Sequence, residues 1–194
     1  MFTLLTAALI AGSSIDTVTT SAQAYEVDPV HSSVVFSVRH AGVGNFYGMF
    51  ETISGTFTWD DSNPSASTFA FEIPLDSVDT NNDSRDTHVK SADFFNVRQY
   101  PKATFKSTGV AKSGDAFVLT GDLTFHGVTQ PITAELEVFE EGSFRGSPKR
   151  GFEARFQFKR SDFKMTEYLA PDGGESGGLG NTIRIIVAVE AGRA

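Results

Sequence analysis

Beyond residue 25 the sequence repeats one local pattern, an apolar residue at every second position, in about eight separate runs. In the first, Val34, Phe36 and Val38 alternate with Ser33, Ser37 and Arg39; in another, Phe69, Phe71 and Ile73 alternate with Thr68, Ala70 and Glu72. Successive side chains on a strand point to opposite faces, so a two-residue period marks a strand with one apolar face. The alternation returns in Ala103 and Phe105, in Phe117 through Leu119, Gly121, Leu123 and Phe125, and in Ile132, Ala134, Leu136 and Val138. It closes with Phe152, Ala154, Phe156 and Phe158, then Ile185, Val187 and Val189. Residues 46–59 supply one more run, and Gly55 sits where its alternation slips, as a bulge or sharp bend requires.

Helical spacing is confined to residues 79–96. There polar cap residues precede Val89, Ala92 and Phe94 or Phe95, which predicts one short helix. Residues 170–180 carry five glycines and one proline, a loop rather than a linker, because the single strand that follows cannot fold alone. No repeat or second domain is visible, and residues 25–194 read as one domain. Antiparallel strands with one apolar face each can close into a barrel or stack as a sandwich. The 18 Phe beside 1 Trp and 4 Tyr favour a barrel with a lined cavity, since so many rigid rings pack poorly without voids. The fold class expected is therefore all-β, an eight-stranded antiparallel barrel with one short helix segment.

Charge and cysteine content remove several functions. The chain of 194 residues has 24 Asp+Glu against 16 Lys+Arg, a formal charge of −8, which opposes a general grip on nucleic acid or anionic lipid. With no cysteine, thiolate metal sites, iron–sulfur clusters and nucleophilic thiols are excluded. Residues 2–12 are mostly apolar, the length of a signal-peptide core and well short of the ~20 residues of a membrane span. They lead to Ala22-Gln23-Ala24, an A-x-A cleavage pattern, although no Lys or Arg precedes Arg39. The expectation is a signal peptide over residues 1–24 and a mature chain starting at Tyr25 in the periplasm or outside the cell, without stable membrane insertion.

Four catalytic, metal or cofactor readings compete with plain structural roles. His31, His40, His88 and His126 show no metal-ligand spacing, so turn and strand-end hydrogen bonds explain them more cheaply than a metal. Gly42, Gly44 and Gly48 have the wrong spacing and no βαβ context for a dinucleotide. Asp28, His31, Ser32 and Ser33 could suggest a secreted hydrolase, but neighbours on a strand face opposite ways and no G-x-S-x-G elbow is present. The acidic residues Asp76, Asp79, Asp83, Asp86 and Asp93 lack calcium-loop order and suit caps and turns, with Arg85 and Asp86 offered as an ion pair holding the helix.

Several ordered motifs carry a resemblance. Tyr25-Glu26-Val27-Asp28-Pro29-Val30-His31-Ser32 is followed by Gly48-x-Phe50, by Asp76-Ser77-Val78-Asp79-Thr80, and by Arg85-Asp86-x-His88-Val89-Lys90-Ser91-x-Asp93-Phe94-Phe95. Then come Tyr100-Pro101-x-Ala103-x-Phe105, Gly121-x-Leu123-Thr124-Phe125-His126-Gly127-Val128-Thr129-x-Pro131-Ile132, and Arg160-Ser161-Asp162-Phe163. In this order they resemble the YceI-like family of bacterial exported proteins over essentially the whole mature chain. The resemblance implies a lipocalin-like barrel that holds a polyisoprenoid or similar long apolar lipid, an isoprenoid quinone included, with no catalysis and no other cofactor. Lys164 stands where many relatives carry Gly, and the glycine-rich loop at 173–180 touches the expected rim.

The wall expected to meet the ligand comprises Val34, Phe36, Val38, Phe50 and Phe57 from the first half of the pattern and Phe69, Phe71, Ile73 and Phe105 from the middle. Phe125, Phe156, Phe158 and Met165 complete it, with Phe46 and Met49 at a portal beside Val43 and Tyr47. The partner expected is a long-chain apolar ligand, with a homodimer allowed and nucleic acid not. A hydrolase built on His31 and a nearby serine, and a ligand-free stress or interaction module, are the competing readings.

Overall fold

In the computed structural model, which describes residues 22–194, the two-residue period becomes twelve strands and one α-helix. The strands are β1 (Gln23–Val27), β2 (Ser33–His40), β3 (Gly44–Phe50), β4 (Ser54–Trp59), β5 (Thr68–Pro74) and β6 (Val78–Asp79). After helix α1 (Asp83–Lys90) come β7 (Lys102–Ser113), β8 (Ala116–Phe125), β9 (Val128–Val138), β10 (Gly142–Phe144), β11 (Ser147–Lys159) and β12 (Leu179–Arg193). Every pairing is antiparallel. The order β11, β9, β8, β7, β5, β4, β1, β12 returns to β11, which closes a barrel of eight strands.

Three of the walls are kinked. β1 and β2 lie one after the other along the same edge of β12, pairing at Tyr25↔Arg193 and Ser33↔Ala188, with the chain bent at residues 28–32. β3 and β4 are likewise separated by a bend that buries Ile53, and β5 and β6 by the 3-10 turn Leu75–Ser77. The slip at Gly55 is real: its φ of 143° is a conformation that L side chains rarely adopt, and a Cβ there would lie 2.2 Å from the Ala70 carbonyl.

The helix is shorter than its spacing predicted. It ends at Lys90 with Ser91 as C-cap and buries none of its residues, so Ala92, Phe94 and Phe95 belong to the turns that follow. Asn82 caps its start by accepting from Arg85 N. Arg85 and Asp86, expected to pair with each other, both fasten to Thr80: Arg85 Nε donates to its hydroxyl at 2.9 Å, and Asp86 accepts from its backbone N–H at 2.8 Å.

One end of the barrel is solid. Tyr25, Phe57 and Phe69 lie in a cross-strand row and stack at 4.9 and 5.5 Å, while Phe152 meets the Phe57 and Phe69 rings edge-on at 5.3 Å. Trp59 closes the row against Phe117, 5.0 Å away. Toward the other end small inward residues, Ala103, Ala134 and Ala154, take the place of rings and leave space.

The position expected to be Gly in relatives also has a structural reading. Lys164 ends the 3-10 turn Arg160–Phe163 with φ 63° and ψ 19°, a left-handed cap that favours glycine. Lys164→Gly is expected to raise stability by about 0.5–1 kcal/mol, read as a small rise in Tm; a fall would show that the lysine side chain contributes more than its backbone costs.

Candidate functional site

The space inside the barrel consists of two chambers. The inner one, about 90 Å³, is walled by Val34, Phe71, Ile73, Phe105 and their neighbours, and Thr104 is the one polar residue on its wall. The outer one, about 130 Å³, lies under α1 at the mouth and is bounded by Phe36, Val38, Phe46 and Met165 among others. Phe50, Phe125, Phe158 and Ile185 belong to both walls, so the chambers adjoin. Phe156 lies on the inner wall. Ligand sites for drug-sized molecules run to roughly 300–1,000 Å³. A long chain therefore requires these rings to turn and the mouth cover to shift.

Three residues expected on this wall are elsewhere. Met49 is out of phase with Phe46, Gly48 and Phe50, so its side chain faces outward and is 37% exposed. Phe57 and Phe69 point inward but spend their faces on each other and on Tyr25 in the solid end. The portal expected around Val43 and Tyr47 is only partly a cavity feature: both are well exposed, and Phe46 alone of that group lines the mouth chamber. Its connection and the glycine-rich loop are one rim, because Ala41 N donates to Gly178 O at 3.0 Å.

Two arginines bracket the inward face of β11. At the solid end Arg150, buried, donates to both carboxylate oxygens of Asp61 at 2.7 and 2.9 Å. That carboxylate also accepts from Trp59 Nε1, and Arg150 holds it below the usual carboxylate range. At the mouth Arg160, 3% exposed, makes no ion pair with a carboxylate among the described residues and instead donates to three carbonyls. Nε meets Gly180 O at 2.8 Å, and Nη1 and Nη2 meet Met165 O and Leu179 O at 2.9 Å. Burial pushes this guanidinium below its ordinary value. It ties the start of β12 to the loop after β11 and so fixes one side of the mouth.

The cover over the mouth is held by ring contacts. Arg85 lies over the Phe46 ring, 4.4 Å from its centre, and Phe95 stacks on Phe50 at 5.8 Å. Phe94 sits between His88 and Tyr168, at 5.1 and 6.2 Å, joining the helix segment to the loop after β11. The alternating pattern does not reach these residues, but the sequence already places the 79–96 segment as a cover beside the portal, and Phe94 and Phe95 stand out as apolar in that polar stretch.

His126, in the β8–β9 turn, donates from Nδ1 to Phe163 O at 2.8 Å, and His88 meets Asp93 at 3.1 Å. Asp28, His31 and Glu190 converge closely enough to suggest a metal, but the Lys149 ammonium lies among them, 3.0 Å from Asp28 and 3.5 Å from Glu190. A cation already compensates these carboxylates. Nor is a hydrolytic pair assembled: His31 is 3.1 Å from Asp28, while Ser32 Oγ donates to the carbonyls of Asp28 and Glu190.

His31 first, and then Lys149, hold the Asp28 carboxyl well below its ordinary value. A depressed folded-state pKa gives a contribution that is complete above the unfolded value of about 3.9 and fades as pH falls from there toward the folded value. The Tm difference between the protein and Asp28→Asn is therefore expected to be constant above about pH 5 and to shrink progressively below pH 4. A difference that holds constant down to pH 2 would show that the loss is not one of charge.

A closed antiparallel barrel with an apolar lumen and a covered mouth defines a class of small binding barrels, in which strands form the wall and the interior is the site. The YceI-like domain model matches residues 25–191, and the chain belongs to that family. A Salmonella arizonae protein called Protein YceI is 40% identical over 192 residues, covering 97% of this chain and 94% of its own. Among solved structures, Burkholderia cenocepacia BcnA superposes with a TM-score of 0.74 at 22% identity, over 85% of this chain and 99% of its own. A polyisoprenoid binding domain from Saccharophagus degradans, described as implicated in plant cell wall breakdown, gives 0.65 at 16% identity, over 89% and 99%. At these identities the two structures speak for the fold.

Proposed function

We propose that the protein binds one long apolar molecule of the polyisoprenoid class in its lumen, with an isoprenoid quinone among the candidates, and carries or stores it without chemical change. The observation that carries this reading is the inner wall, apolar except for Thr104 and adjoining a second chamber under the α1 segment. Each buried CH2 contributes about 0.8 kcal/mol, so a dozen carbons bind without a strong polar anchor. The name of the Saccharophagus neighbour favours the same ligand class. Among the described residues no helix is long and apolar enough to cross a membrane.

Export belongs to the same proposal. The apolar leader lies outside the described residues, and cleavage after Ala24 falls inside β1, leaving Tyr25 and the pairs from Tyr25 to Val27 with β12. Lipid extraction and mass spectrometry of the protein purified from its own host tests the ligand, and N-terminal sequencing tests the start at Tyr25. Recovery of a prenyl lipid is expected. A lipid-free protein that also fails to take up geranylgeraniol from vesicles would overturn the reading in favour of a packed interaction module.

A further inference from the structure

A glycine inside a strand gives up a side chain that could pack, and it marks a place where another group approaches closely. Gly48 in β3 is buried and has an ordinary strand backbone, so no turn or left-handed conformation accounts for it. A Cβ there would lie 2.4 Å from Phe36 Cζ and 2.8 Å from Phe36 Cε1, and the three heavy atoms nearest to it all belong to that ring. Phe36 stands directly across from Gly48 in the β2–β3 ladder, so its ring lies down over the glycine. The arrangement recurs at Gly121, where a Cβ would lie 2.3 Å from Phe105 Cζ; there the Lys106 carbonyl, 2.6 Å away, excludes a side chain as well. Gly48 is the case in which the ring alone is the reason.

Phe36 occupies the level of the barrel at which the two chambers meet. Its inward neighbours on β2 divide between them, Val34 lining the inner chamber and Val38 the outer. Ile185, opposite Phe36 on β12, lines both, as does Phe50, whose ring is 5.6 Å from the Phe36 ring. On the β12 side the Ile185 side chain fills the wall. On the β3 side the missing side chain of Gly48 lets the ring lie along the wall instead of across the lumen. Where other rings have to turn to admit a chain, this one is already clear of the path. A methyl group at position 48 takes that place away, and in a packed interior the displaced ring changes rotamer toward the open space of the junction.

We infer that the Phe36–Gly48 pair determines the chain length the protein accepts: with the ring laid over Gly48 the two chambers form one bore, and with the ring displaced they are separate. The inference rests on the apolar-chain reading above and assigns its selectivity to one buried glycine. Transfer of twenty-carbon geranylgeraniol and of ten-carbon geraniol from phosphatidylcholine vesicles to the protein measures it. Each CH2 shut out of the inner chamber costs about fourfold in affinity. Gly48→Ala is therefore expected to weaken capture of geranylgeraniol by roughly fiftyfold or more and to leave geraniol, short enough for one chamber, within about threefold. Leucine packs beside a methyl group as an ordinary cross-strand pair, so adding Phe36→Leu to Gly48→Ala is expected to bring geranylgeraniol back to within about fivefold of the unaltered protein. The proposal is overturned if Gly48→Ala captures the long chain as before, if it loses both alcohols alike, or if Phe36→Leu brings no recovery. Should Gly48→Ala fail to fold, proton NMR of the unaltered protein decides. The Phe36 ring current is expected to shift the Gly48 Hα protons upfield, and the shift is expected to persist when geranylgeraniol is bound. Its loss on loading would show that the ring leaves the glycine to admit the chain, and would overturn the proposal. If the unaltered protein does not capture geranylgeraniol, the carrier reading falls and the bore with it; capture without the Gly48 shift overturns the present inference alone.

Discussion

Val38→Trp is expected to lower capture of a twenty-carbon prenyl chain by at least a hundredfold while leaving binding of ten-carbon geraniol within a few fold. Val38 is buried, faces the mouth chamber, and pairs with Phe46 on one side and Ile183 on the other. An indole there fills the chamber of about 130 Å³ but leaves the inner one, on whose wall Val38 does not lie. Excluding four carbons of a long chain forfeits about 3 kcal/mol, which is more than two decades in affinity. A melting curve within a few degrees of the original would show that the variant is folded. Undiminished capture of the long chain by folded Val38→Trp would mean that the lipid does not occupy this lumen.

Arg160→Met is expected to destabilise the fold by roughly 3–5 kcal/mol, lowering Tm by about 10 °C. Methionine matches the stem but leaves the carbonyls of Met165, Leu179 and Gly180 without the donor that holds all three. Relief from burying a charge offsets only part of that loss, since each orphaned carbonyl costs about 1–3 kcal/mol. Arg160→Lys is expected to recover little, because one ammonium cannot reproduce a planar fork with three directed donors. A Tm change under about 2 °C for Arg160→Met would show that water takes over the three carbonyls and that the mouth is not organised by this side chain.

The inward set of the wall was largely legible because a two-residue period leaves little choice once one residue of a strand is assigned. Val34, Phe36 and Val38, or Phe152, Ala154, Phe156 and Phe158, could hardly be divided between faces. The same rule argues against Met49, which stands between the in-phase Gly48 and Phe50. What the period cannot give is register between strands. That Phe57 lies opposite both Tyr25 and Phe69 is a property of three strands together, and it decides that these rings fill the barrel instead of lining its space. The two arginines at the ends of β11 did leave a local trace, since Arg150 and Arg160 continue the inward phase of the apolar residues between them. Their partners left none: Asp61 and Met165 lie in separate loops, and Leu179 and Gly180 open a strand that is distant in sequence. The short strands β1, β6 and β10 were missed because so few residues show no period, and in β1 two of them also read as a cleavage signal.

The placement of β1 sets the order in which the molecule can be completed. It pairs with β4 on one edge and with the last residues of β12 on the other, at Tyr25↔Arg193 and Val27↔Ala191. Hairpins such as β7–β8 and β8–β9 need only neighbouring sequence and are free to form early, whereas this joint brings together segments separated by nearly the whole chain. Loop closure of that span is slow, and it waits until β12 has left the ribosome. An emerging chain therefore stays an open, unfinished sheet until β12 has emerged. Joining the two ends by a short linker and opening the ring at the β7–β8 turn, where Gly114 has open space around it, would turn this late joint into an early hairpin. Such a permuted chain is expected to fold faster.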